Sequence, residues 1–244
     1  GVAALIVVLS VMNGFYDFVR DLLVSLDPHV RVVSAEGRGV ANADSLLRLA
    51  RETKHVTAAA PYVEGKALLL TRKGSGTNQV VRVRGVAPSM MKTAAPTMAM
   101  GTFDLSRTPD GTPGIVLNRR LGQRLALIPG RSTKGTDAVG VLSAPAIERT
   151  LTNVFSSSPI RRFEVRGLFQ VQGASEQKSV FVSLSEAQRL FRTEGRVTGI
   201  DLRLDNLERA GTVKAALQRQ LDPDRYTVQT WYDLQKSLYD VMRL

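Results

Sequence analysis

The sequence predicts an α+β fold with a β-rich subdomain inserted into it. Three observations carry that prediction. Residues 29–72 read in the order strand, helix, strand, strand; residues 114–204 are mostly strand; and a helix and a strand at 207–230 close the folded part. No fixed-period repeat, low-complexity tract or long linker interrupts the chain.

Residues 2–12, VAALIVVLSVM, form an apolar run interrupted only by Ser10. As a helix the run spans about 17 Å, short of the ~30 Å hydrocarbon layer, so it reads as a buried helix or as the outer part of a transmembrane one. No basic segment precedes it and no A-x-A-like site follows, which argues against a signal peptide. Phe15, Phe18, Val19, Leu22, Leu23 and Leu26 then recur at helical spacing, with Asp17, Arg20, Asp21 and Ser25 between them, until Pro28 stops the helix. An all-round apolar helix that turns amphipathic near Gly14 favours the transmembrane reading.

HVRVVSA at 29–35 alternates as a strand, and ADSLLRLARE at 43–52 reads as a short helix after Asn42. Strands follow at 55–63 and 66–72. KGSGTN at 73–78 reads as a hairpin turn, with Gly74 and Gly76 supplying positive φ, before the alternating QVVRVRGVA. Residues 88–113 carry Met and Pro without a period and read as a loop-rich crossing. GIVLNRRLGQRLAL at 114–127 reads as a strand running into a helix, with strands at 138–143, 161–172, 177–183 and 196–204 and a helix at 184–192. A helix at 207–221 ends before Pro223, and a strand at 225–230 follows. Thr230 is placed to cap a helix with Asp233 at its third position, and Trp231, Leu234, Leu238 and Val241 continue one face.

Composition excludes several classes of function. The 244 residues hold 43% hydrophobic and 23% charged side chains, as folded domains do, and no cysteine, so disulfides, Cys-based zinc or iron–sulfur sites and thiol nucleophiles are absent. The 33 Lys and Arg exceed the 22 Asp and Glu by 11 charges. The basic residues are dispersed and aromatics are only 6%, which argues against nucleic acid as a partner. His29 and His55 stand alone, so no H-E-x-x-H motif exists. In GRSTKGT at 130–136 the lysine precedes the second glycine, so the loop fails the phosphate-binding pattern G-x-x-x-x-G-K-[ST]. No G-x-S-x-G elbow occurs, and no catalytic residue, cofactor or metal is expected.

One loop stands out. APAIERTLTNVFSSSPI at 144–160 is longer than a hairpin needs, and its Ile147, Leu151, Val154 and Phe155 should fold back on the body or meet a partner. Arg161 and Arg162 at its base would add charge-assisted contacts.

Leu9-Ser10-Val11-Met12-Asn13-Gly14-Phe15, followed by an amphipathic helix and Asp27-Pro28-His29, resembles the end of the first membrane helix in the lipoprotein-releasing (Lol) ABC permeases of Gram-negative bacteria, the LolC/LolE family. Gly114-Ile115-Val116-Leu117 with Leu121-Gly122 and Leu125-Ala126-Leu127 looks like the central signature of that family. Phe163 to Phe169 is similar to its strand after the protruding loop, and Ser183 to Phe191 to its short helix.

The resemblance implies a MacB-like periplasmic core between two membrane helices. Residues 1–27 would be the end of the first transmembrane helix and its stalk. Residues 28–112 with 196–230 would make a discontinuous porter-like α+β subdomain, 113–195 a β-rich sabre-like subdomain with a hook at 144–160, and 231–244 a stalk helix leading to the second membrane helix. The expected localisation is the inner membrane, with this segment in the periplasm. The implied function is non-catalytic: lipoproteins leave the inner membrane, driven by a separate cytoplasmic ATPase subunit (LolD-like), and pass to a periplasmic lipoprotein carrier (LolA-like). A second permease subunit and the lipoprotein substrate are the other implied partners. Val154, Phe155 and Pro159 of the hook, with Arg161 and Arg162, are the implied carrier contacts. The alternative is another mechanotransmitting permease, such as a macrolide or toxin exporter or a regulator of a cell-wall hydrolase.

Overall fold

The computed structural model describes residues 28–71, 78–88, 96–129, 138–146, 160–170 and 178–234. Residues 1–27 and 235–244, which hold most of the two expected stalk helices, lie outside it, as do the 72–77 turn and loop residues 147–159.

Among the described residues ten strands join in one hydrogen-bonded sheet. In chain order they are β1 (Val30–Ser34), β2 (Val56–Leu70), β3 (Gln79–Val86), β4 (Met98–Gly101), β5 (Gly114–Asn118), β6 (Ala138–Ser143), β7 (Arg161–Phe169), β8 (Ser179–Ser183), β9 (Gly199–Leu204) and β10 (Tyr226–Thr230). The helices are α1 (Ala43–Glu52), α2 (Arg119–Arg124), α3 (Leu184–Phe191), α4 (Ala210–Gln220) and α5 (Trp231–Leu234). The α+β class expected from the sequence is the one observed.

β2 organises the molecule. The sequence suggests two strands broken near Glu64 and Gly65, but one strand of 15 residues runs through. Gly65 is no breaker here; it makes room, because a Cβ at that position would meet the Phe191 ring at 2.5 Å. The first half of β2 pairs antiparallel with β9, which pairs with β1, which pairs with β10. This open sheet is covered on one face by α1 and α4 through Leu46, Leu47, Ala50, Val213 and Leu217, all in the main core cluster with Val30, Val32, Ile200 and Leu202.

The second half of β2 belongs to a closed ring. β2 pairs with β3, β3 with β8, β8 with β5, β5 with β7, β7 with β6, and β6 returns to β2. Closure removes the free edges that would otherwise recruit other strands. Alternation sends Val63, Leu69, Val83, Ile115, Leu117, Val141, Phe163, Val165, Val180 and Val182 into the main core.

A second, smaller cluster lies behind β5 and β8. Val116, Phe169 and Phe181 are covered there by Phe103 and Leu105, with tilted ring contacts of 5.5 Å and 5.0 Å at Phe181. The stretch at 88–113, expected to be loop, thus contains β4 and the cover of this cluster.

α3 packs on β2, β3 and β6 at inward-facing positions: Ala187 against Gly85, Phe191 against Gly65, and Ser143 Oγ donating to the Leu190 carbonyl at 2.6 Å. The expected cap at the far end also forms. Asp233 accepts from the Thr230 backbone N–H at 2.8 Å while Thr230 Oγ1 accepts from the Asp233 N–H at 3.3 Å. Lys214 of α4 reaches the same carboxylate at 2.7 Å.

Candidate partner-binding site

The chain enters the described region at Pro28 and leaves it at Leu234, and Val30 and Thr230 are direct neighbours in the sheet. The start of β2 lies at that same end, because Val56 pairs with Leu204 and Leu202 with Val30. Ser143, from which the 144–160 loop leaves, pairs with Ala67 in the second half of β2, and Arg161, where the chain returns, pairs with Val141 of β6.

Of the five expected contact residues, Val154, Phe155 and Pro159 lie outside the described residues, while Arg161 and Arg162 open β7. Alternation separates the two arginines. Arg162 faces outward, exposed, opposite Gly140. Arg161 turns toward α3, where its Nε stands 3.5 Å from Glu186 Oε2.

Glu186 is the residue that sequence reasoning missed. Its side chain is 1% exposed, yet it draws three guanidiniums: Arg161, Arg189 at 3.0 Å, and Arg107, which reaches across from the loop before β5. One carboxylate against three arginines leaves two net positive charges at the loop base. The sequence signal present, Ser183-Leu184-Ser185-Glu186, is a capping box. Ser183 does accept from the Glu186 N–H at 3.4 Å, but the carboxylate is engaged by the arginines, a use that the local pattern does not encode.

A second charged network lies on the open-sheet face away from α1 and α4, where the sheet passes into the ring. Asp201, 5% exposed, takes Arg31 Nε at 2.9 Å and also binds Arg84. Arg84 Nη1 reaches Glu64 at 3.0 Å, and both guanidiniums lie over the Tyr62 ring, at 4.8 Å and 4.4 Å from its centroid. Burial pushes the Tyr62 hydroxyl up to about 12, against the pull of the arginines, so it stays neutral. This network ties β1, β9, β2 and β3 together.

The two histidines have separate tasks. His29 Nδ1 accepts the Leu204 N–H at 3.1 Å, and burial followed by the Arg203 charge lowers its pKa to about 4. His55 pairs with Asp205 at 2.9 Å. Among the described residues no three His, Asp or Glu side chains cluster as a metal site, and no helix is long and apolar enough to cross a membrane. An open cleft of about 660 Å³ is lined by Arg38, Arg192, Arg196 and Glu64.

Residues 1–220 match the MacB-like periplasmic core domain. The chain belongs to that family. Over its whole length it is 30% identical to the lipoprotein-releasing system transmembrane protein LolC of Xylella fastidiosa (strain Temecula1 / ATCC 700964), aligned over 249 residues, and 30% identical to LolC of Neisseria meningitidis serogroup B over 256 residues. The alignments cover 56% of each of those proteins, so the chain spans little more than half the length of these relatives. Its fold is similar to the periplasmic region of MacB from Actinobacillus actinomycetemcomitans, with TM-score 0.51 and 8% identity over 89% of this chain and 96% of that one. It is also similar to the extracellular domain of the ABC-type transporter YknZ from Gram-positive bacteria, with TM-score 0.50 and 10% identity over 82% and 99%. The MacB-like core is therefore both the sequence family and the fold.

Proposed function

We propose that this MacB-like domain belongs to a permease that releases lipoproteins from the inner membrane and passes them to a periplasmic carrier. The observation that carries this reading is the end-to-end similarity to LolC proteins at 30% identity, from residue 1 through the last helix. In this reading the domain is non-catalytic, ATP is hydrolysed by a separate cytoplasmic subunit, and a second permease subunit completes the transporter. In this reading residues 28–112 with 196–230 act as the porter-like part and 113–195, with the 144–160 loop, as the sabre-like part, β2 and β3 of the former closing the ring with the strands of the latter. Arg161 and Arg162, with Val154, Phe155 and Pro159, form the carrier contact. Support comes from position and charge: the loop leaves the body at the level of Ala67, about 25 Å of strand path along β2 from the row of Ala59 and Val30, and its base carries excess positive charge.

The experiment is a titration of the chain with the periplasmic lipoprotein carrier of the same cell. Micromolar or tighter binding is expected, lost when residues 150–159 are replaced by a short Gly-Ser turn and weakened at least tenfold by Arg162→Glu. A folded chain that does not bind the carrier overturns the carrier-recruiting reading.

A further inference from the structure

Two loops meet at the Ser34 end of the open sheet, about 13 Å of strand path from Val30. Residues 35–42 join β1 to α1, and residues 192–198 join α3 to β9. Val40 and Val197 exchange backbone hydrogen bonds of 2.7 Å and 3.0 Å, and both side chains are buried, so the loops are fixed against each other. Between them runs the open cleft of about 660 Å³, bordered by Arg38 on one loop and by Arg192 and Arg196 on the other. A second cleft of about 250 Å³ adjoins it, with Arg225 and Tyr226 on its lining. Ser34, Arg38, Gly39 and Arg196 line both, so the two form one groove around the 36–39 turn.

The charges along this groove are not balanced. Glu36 pairs with Arg38 at 3.4 Å, and Glu64 is held by Arg84 at 3.0 Å. Among the described residues Arg192, Arg196 and Arg225 form no ion pair, and Glu194 is the one acid left on the lining, so three cations face one carboxylate. Gathering exposed cations costs self-repulsion, which an anionic ligand relieves. The backbone is also unusual here. Arg192 and Glu194 have φ of 52° and 50°, a left-handed conformation uncommon outside glycine, and Gly195 follows at 80°. The turn is held by the Thr193 N–H on the Gln188 carbonyl at 3.2 Å and by the Arg196 N–H on the Thr193 carbonyl at 2.8 Å. Such backbone collects at ligand sites, and here it sets Arg192 and Arg196 on one lining.

We propose that this groove binds an extended acidic segment of a polypeptide, its spaced carboxylates pairing with Arg38, Arg192, Arg196 and Arg225. A guanidinium fork matches a carboxylate with two parallel hydrogen bonds. Glu36 and Glu194 on the lining repel closely packed negative charge, so spaced carboxylates fit better than a polyphosphate. A groove between two loops admits a single strand, whereas the plane of a bilayer touches only its rims. Val33 and the Tyr226 ring, over which Arg225 lies at 5.7 Å from the centroid, give the strand an apolar wall. The site lies on the open sheet, apart from the 144–160 loop and its arginines, and the inference stands whether or not the permease releases lipoproteins.

The test is fluorescence anisotropy of the purified chain with a rhodamine-labelled peptide in which glutamate alternates with glycine, and with its glutamine counterpart. Saturable binding at low salt is expected for the glutamate peptide and at least tenfold weaker binding for the glutamine one. Arg192→Gln and Arg196→Gln should each weaken the glutamate peptide at least fivefold. Both side chains are exposed, so the unfolding temperature should not change. Arg162→Gln, which removes an exposed cation at the loop base, should leave the affinity as it was. Equal losses for Arg162→Gln and Arg192→Gln would show only the general attraction of a chain of net charge +11, and they overturn the site. Absence of saturable binding overturns it as well. Inorganic phosphate and phosphatidylglycerol vesicles, added at the same charge concentration as the peptide, are expected not to displace it. Displacement by either one overturns the assignment of the groove to a polypeptide.

Discussion

Asp201 and Glu186 are both buried carboxylates held by arginines, but their surroundings separate them energetically. The guanidiniums on Asp201, from Arg31 and Arg84, are themselves only 16% and 15% exposed. Those on Glu186 are 38% to 52% exposed and can turn to water when released. Removing one member of a buried pair strands the other charge at a cost of about 3–5 kcal/mol, whereas exposed pairs contribute about 1 kcal/mol or less. Asp201→Asn is therefore expected to destabilise the chain by about 3–5 kcal/mol and Glu186→Gln by about 1–2 kcal/mol, read by urea unfolding. Equal losses would contradict the argument.

His29 gives the expected pH dependence. Its pKa is about 4 in the folded chain against an ordinary 6.5, so the neutral ring is the form that folding favours. Its contribution is complete above pH 6.5 and is lost as pH falls toward 4, because the unfolded chain takes up the proton first. After allowance for partial exposure the loss is on the order of 1–2 kcal/mol. Comparing stability at pH 7 and pH 4.5, wild type should lose more than His29→Gln by about that amount; identical pH profiles would remove His29 as a cause.

At the scale of elements, two glycines give opposite predictions. Gly85 lies under α3, where a Cβ would stand 2.2 Å from that of Ala187, so Gly85→Ala must push the helix off the ring and is expected to cost about 1–3 kcal/mol. Gly211 lies in α4 with nothing within 4 Å of its would-be Cβ, so Gly211→Ala should stabilise by roughly 0.5–1 kcal/mol. Thermal unfolding of the two variants checks both signs. The Thr230–Asp233 box was readable because capping is local: three residues, two reciprocal hydrogen bonds. α3 was readable as a helix for the same reason, but its packing at Gly65 and Gly85 was not.

At the scale of the whole molecule, β2 makes the open sheet and the ring one body. Its 15 residues serve both, and the Asp201 network crosses the junction between them. A single unfolding transition is therefore expected, with hydrogen-exchange protection of β1 in the open sheet and β5 in the ring falling together in Asp201→Asn. Two separate transitions would show that the halves are independent.

Element identities were largely legible in the sequence, since β1, α1, β5, β6 and β10 each announce themselves by period and punctuation. So were the basic, cysteine-free composition and the two arginines at the loop base. The sequence around Gly65 reads as two strands because local rules treat glycine as a break, while in the fold Phe191, 126 residues away, needs the space. The ring, the three arginines on Glu186 and the groove between the 35–42 and 192–198 loops depend on pairings between residues far apart in the chain. A strand's period determines which residues share a face. Only the register with its neighbours decides what that face meets, and here it left part of one face open to solvent.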